Sequence, residues 1–154
     1  YVTGVQTCAL PISTLYRNNL LMASLIHNTL SSNYTLVIGR IVLSSFFLIA
    51  GIFGVFNFDT VVNEMIGANL PLPQLFAFAT IAIQLIGSIL LISNFAGLTW
   101  LGAGILAIFT LLCIPIGHPF WKLAEPQRTQ DFQIVLEHIA LSGGLLLAAI
   151  ATKK

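Results

Sequence analysis

The chain has 154 residues, of which 57% are hydrophobic and only 7% charged, with a mean hydropathy of +0.96. Soluble domains carry roughly a quarter charged residues, so most of this chain has lipid for its solvent. A formal net charge of +1 leaves no field to gather nucleic acid or cationic partners, and two cysteines, Cys8 and Cys113, are too few for a disulfide scaffold.

The chain opens on VTGVQTCALPI, residues 2–12, which resembles the translation of a sequencing-library adapter and is set aside from fold reasoning as an expression scar would be. A secretory signal would need a basic start and a long apolar core, and the stretch has neither. Met22, opening MASLIHNTLSSNYTLVIGR, reads as the native start. Residues 1–21 are then a non-native leader and residues 22–154 a single transmembrane domain. Setting the leader aside removes Arg17 and Cys8, which balances the charges and leaves Cys113 as a lone thiol.

Crossing the hydrocarbon layer takes about 20 mostly apolar residues in a helix. Four segments meet this: residues 36–56, 74–93, 98–117 and 132–151. Barrel strands would be about half as long and would alternate in polarity. The expected fold is therefore an all-α membrane protein, a four-transmembrane-helix antiparallel bundle with no soluble domain.

The connections differ in kind. Only NFAG joins the second and third spans, so they form a tight hairpin. The longer NFDTVVNEMIGANLPLP places Val61, Val62, Met65 and Ile66 near helical spacing, which predicts a short interfacial helix ending before Pro71 and Pro73. In the last loop, GHPFWKLAEPQRTQDF, Phe120 and Trp121 suit the headgroup layer. Arg40 near the start of the first span and Lys153 with Lys154 at the end of the chain set both termini on the cytoplasmic side, against a first long loop that carries Asp59 and Glu64 and no basic residue. Asn33 in NYT matches a glycosylation acceptor, but a cytoplasmic position beside the membrane makes it inert.

Polar groups at membrane depth are costly and tend to face the bundle interior. Arg40 shares a stripe with Ser44, Phe47 and Gly51, and either reaches back to the headgroups or packs inside with hydrogen bonds. Thr80, Gln84 and Ser88 recur every fourth residue, so one face of the second span looks inward. Gln84 serves either interhelical hydrogen bonding or a quinone carbonyl. In the fourth span Ala140, Gly144 and Ala148 stand in small-xxx-small order, a surface for close helix approach, with Glu137 on the same stripe and His138 about 100° away toward Ser142. His118, Glu137 and His138 form a candidate cluster for protons. No metal-binding signature accompanies it, so no metal is expected, and the alternative is His118 capping a helix end beside Pro119. Cys113 reads as a packing residue rather than a redox thiol.

Taken in order, GRIVLSSFFLIAGIFGVF, PLPQ, QLIGSILLI, HPFW and FQIVLEHIALSGGLLLA resemble the DoxX family of small four-helix bacterial membrane proteins over residues 36–151. The resemblance implies an inner-membrane location and association with a quinol oxidase or a thiol-handling oxidoreductase complex. Arg40, Gly51, Gly87, His118, Pro119, Phe120, Trp121, Gly143 and Gly144 fit its pattern. Gln84 stands where an acidic residue is common, and Glu137 and His138 where Lys then Asn are frequent, so a proton-transfer or ion-pair role does not carry over to these positions.

The reading that follows is a non-catalytic accessory subunit of a quinol- or thiol-linked oxidoreductase complex. Its partners would be the lipid bilayer and other membrane oxidoreductase subunits, and its docking surface the loop with Pro119, Phe120 and Trp121. It implies no cofactor of its own. The alternatives are a quinone-binding catalytic subunit using Gln84 and the histidine cluster, with haem a further possible ligand, and a small solute or lipid carrier that would need a continuous polar path.

Overall fold

The computed structural model describes residues 12–151, with side chains described from Tyr16 onward. Most of the adapter-like stretch, and Lys153 and Lys154 on which the orientation partly rests, lie outside the described residues. Six helices follow one another: α1 (Ile12–Leu30), α2 (Asn33–Phe56), α3 (Phe58–Gly67), α4 (Pro73–Ser93), α5 (Thr99–Gly117) and α6 (Gln127–Ala151). The chain divides after Ile38 into two units.

In the first unit, α1 is exposed along its described length and runs without a break through Met22. A hydrogen-bonded turn ends it and starts α2. The Thr35 hydroxyl donates to the Thr29 carbonyl at 2.7 Å and the Thr35 N–H donates to Ser32 Oγ at 3.2 Å. Ser32 therefore satisfies one of the amides that a helix start leaves without an intrahelical partner.

The second unit holds the bundle. α2, α4, α5 and α6 are each long and apolar enough to cross a membrane, as the four apolar runs predict. Their surface and interior are distributed as lipid requires. Large apolar side chains point outward, with Val42 68%, Phe78 65% and Leu147 70% exposed, while Ser44, Ser88, Thr99, Thr110 and Ser142 are buried. A water-soluble helix would show the opposite arrangement. The hydroxyls are consumed at once: Ser44 donates to the Arg40 carbonyl, Thr110 to Leu106 and Ser142 to His138, at 2.7 to 2.8 Å. Ser88 reaches across to the Ser44 carbonyl at 3.5 Å.

Between lipid-immersed helices there is little hydrophobic drive, so association depends on close packing through small residues. The tightest seam lies between α4 and α5. A Cβ built on Gly102 would stand 2.7 Å from the Gly87 carbonyl oxygen and 2.8 Å from the Leu91 nitrogen, so only a glycine lets the two backbones approach this closely. Around the seam Phe47, Leu91, Ala103, Leu106 and Leu145 form the main core cluster. At the hairpin, Asn94 and Ala96 take left-handed backbone angles, and Asn94 Oδ1 accepts a 2.7 Å hydrogen bond from the buried Thr99 hydroxyl.

The predicted interfacial helix exists as α3, ending at Gly67, but it folds back on the bundle. Val61 packs with Ala77 and Ile81 of α4, joined by Val62 and Met65, while Ile66 faces outward.

The small-residue stripe of α6 faces inward in part. Ala140 is exposed, whereas Gly144 lies close to Leu43, at 3.2 Å from a built Cβ, and Ala148 packs against the main core cluster. The same inward side of α6 carries Val135, His138, Ser142 and Leu145. Turning this side inward also spares the polar groups of His138 and Ser142 from lipid.

Candidate functional site

Two places in the second unit gather polar side chains beyond what packing requires. The first is the end of the bundle where α5 passes through a short turn into α6. Pro115 sits in the last turn of α5 and His118 occupies its C-cap, where the His118 N–H donates to the Ile114 carbonyl at 3.1 Å. Backbone capping leaves the imidazole free to turn toward α6. There its Nδ1 stands 3.7 Å from Asp131 Oδ2. That distance is too long for a hydrogen bond, and Nδ1 is buried without one, so the contact is an ion pair only when the ring is protonated. The His138 ring meets the His118 ring edge-on, with centroids 5.1 Å apart. Because a carbonyl can only accept, the 2.8 Å contact from His138 Nδ1 to the Ile134 oxygen fixes the proton on Nδ1 and leaves Nε2 as the lone-pair nitrogen of the neutral ring.

The predicted trio thus assembles only in part. His118 and His138 meet, but Glu137 is exposed on another face of α6, and the carboxylate beside His118 belongs to Asp131. Asp131 was readable in principle. It lies on the stripe that continues through Val135, His138 and Ser142, but its place in a hydrophilic loop marks it only as a solvent-facing charge. Among the described residues no group of three or more metal-ligating side chains comes together.

Beside this cluster, Phe120 packs against Trp121 and Phe132 with ring centroids 5.2 Å apart in each pair. Pro119 leads into the turn formed by Phe120–Lys122. Glu125 holds the start of α6, accepting from the Thr129 hydroxyl at 2.7 Å and the Thr129 N–H at 3.3 Å. A recess of about 220 Å³ lies between Phe120, Glu125, Arg128, Thr129 and Phe132.

The second place is a groove of about 380 Å³ bounded by α2, α3 and α4. Phe46, Ile49, Ala50, Phe53 and Val61 form its apolar walls, and Thr80, Gln84 and Glu64 supply the polar groups. Gln84 is inward-facing at 8% exposure, as the every-fourth-residue pattern predicts, yet it makes no hydrogen bond among the described residues. Glu64 has no signal as a site residue in the sequence, because it stands between the apolar positions of the predicted interfacial helix and reads as part of its solvent-facing side. Only the folding back of α3 brings it to the groove.

Arg40 is half-buried one turn before Ser44, and its side chain makes no ion pair or hydrogen bond among the described residues. The stripe through Ser44, Phe47 and Gly51 is buried as predicted. Gly51 faces α4, where a built Cβ would stand 2.8 Å from Leu85 Cδ2.

Comparison with known proteins bears on most of the chain. The inner membrane protein YphA of Escherichia coli (strain K12) is 27% identical over 115 residues, covering 75% of this chain and 81% of that protein. No solved structure matches the chain. A family profile described as DoxX matches residues 35–119, more than half of the sequence and all of α3, α4 and α5. The chain is a membrane protein of the DoxX family.

Proposed function

We propose that this protein is a non-catalytic accessory subunit of a membrane oxidoreductase complex in the bacterial inner membrane, with the end of the bundle around residues 117–132 as its docking surface. The observation that carries the reading is the character of that end. Trp121 is 52% and Phe132 44% exposed, side by side with a recess edged by Glu125 and Arg128. An aromatic patch with balanced charges suits a protein interface better than a funnel for a charged substrate. The relative named an inner membrane protein supports the location. Four crossings return the end of α6 to the side where α2 begins, and Arg40 near that start favours the cytoplasmic face for both.

A carrier is less well supported, because the core hydroxyls of Ser44, Thr110 and Ser142 are bound to helix carbonyls rather than lining a path. The test is affinity purification of the tagged full chain in mild detergent, with mass-spectrometric identification of what accompanies it. The reading predicts a redox-cofactor-bearing membrane subunit in stoichiometric yield, reduced severalfold by Trp121→Ala. Repeated isolation of the chain alone would contradict it.

A further inference from the structure

The groove between α2, α3 and α4 carries groups that the bundle does not use for its own cohesion. Glu64 is exposed at its edge and its carboxylate makes no hydrogen bond or ion pair among the described residues. Gln84 and Thr80, one helical turn apart on α4, supply a carboxamide and a hydroxyl to the same space. Phe46 and Phe53 stand one above the other in sequence spacing on α2 and give it aromatic walls. None of the lining residues is basic, and the segment from Asn57 to Pro73 contains Asp59 and Glu64 but no Lys, Arg or His.

From this arrangement we infer that the groove binds an amphiphile with a single positively charged ammonium head and an apolar body. The head meets the Glu64 carboxylate and the faces of the phenylalanines, which attract cations through their ring quadrupoles. The body lies along Ile49, Ala50 and Val61, and a polar substituent reaches Gln84. A volume of about 380 Å³ admits a ligand of this kind. A quinone ring would use Gln84 and Thr80 but would leave the groove's carboxylate without a partner. A zwitterionic phospholipid headgroup would bring a phosphate to a groove with an acidic edge and no cation to receive it.

Direct binding to the purified full chain in a neutral maltoside detergent tests this, with dodecyltrimethylammonium, dodecylphosphocholine and decylubiquinone as probes. The ammonium probe should bind saturably at one per chain and more tightly than the other two. Glu64→Gln should weaken it about threefold to tenfold, Glu64→Asp less, and Glu125→Gln not at all. Gln84→Leu and Phe53→Ala, which leave the carboxylate in place, should each weaken it severalfold and keep the inference testable if Glu64→Gln fails to fold. Undiminished binding to folded Glu64→Gln would overturn the inference. So would equal or tighter binding of decylubiquinone or of the phosphocholine probe, or failure of the ammonium probe to saturate.

Discussion

Helix α4 meets its neighbours in two different ways. Along Gly87 and Leu91 it closes against α5 with backbone touching backbone, and nothing larger than glycine fits at Gly102. Along Thr80 and Gln84, beside α2 and α3, it leaves about 380 Å³ open. Both faces carry polar groups, so polarity does not separate them. Packing does: Gly87 and Gly102 let the backbones of α4 and α5 meet, while beside Thr80 and Gln84 a space remains that Phe46, Phe53 and Val61 line. In a bundle cohering by packing rather than by hydrophobic drive, a seam that cannot close is where a ligand or partner group is accommodated.

The difference predicts a gradient of mutational effects. Gly102→Leu should be the most damaging, destabilising the bundle by about 1–3 kcal/mol or preventing assembly, because the obstacle is the backbone of α4 and not a movable side chain. A thermal unfolding series in detergent would register it as a large drop in Tm. Thr99→Val should cost about 1 kcal/mol, since it removes the buried hydroxyl that ties the hairpin to Asn94. Ser88→Ala should cost about 0.6 kcal/mol or less, given its 3.5 Å contact with Ser44. Gln84→Leu should be nearly neutral in the same unfolding assay, because no hydrogen bond within the described residues is lost and an unpaired amide leaves the membrane interior. If Gln84→Leu destabilised as much as Gly102→Leu, the groove would be part of the packed core and the comparison would fail.

The sequence made some of these features legible and hid others. Spans α2, α4, α5 and α6 stand out because lipid demands long apolar runs, and the NFAG hairpin because four residues permit no other connection. The inward faces of α2 and α4 were equally readable, since Ser44, Gln84 and Ser88 are scarce polar marks on apolar helices. The face of α6 was not, because its small residues and its polar residues lie on different stripes and point to different answers. There Glu137, His138 and Ser142 compete, and His138 with Ser142 wins the interior. Asp131 and Glu64 were hidden for a second reason. Each is an acidic residue in a connection between spans, and only the tertiary path of α6 or α3 brings it to a site.

The central claim is that these four helices lie in lipid with their polar side chains turned toward one another. Spin labels placed singly at Val42, Phe78, Ile108 and Leu147, in a Cys8→Ala, Cys113→Ala background and reconstituted in bilayers, test it by collision with oxygen and with a water-soluble nickel chelate. All four sites should collide with oxygen far more than with the chelate, while a label at Gln84 shows restricted access to both. High chelate collision at Val42, Phe78, Ile108 and Leu147 would place these faces in water and contradict the account.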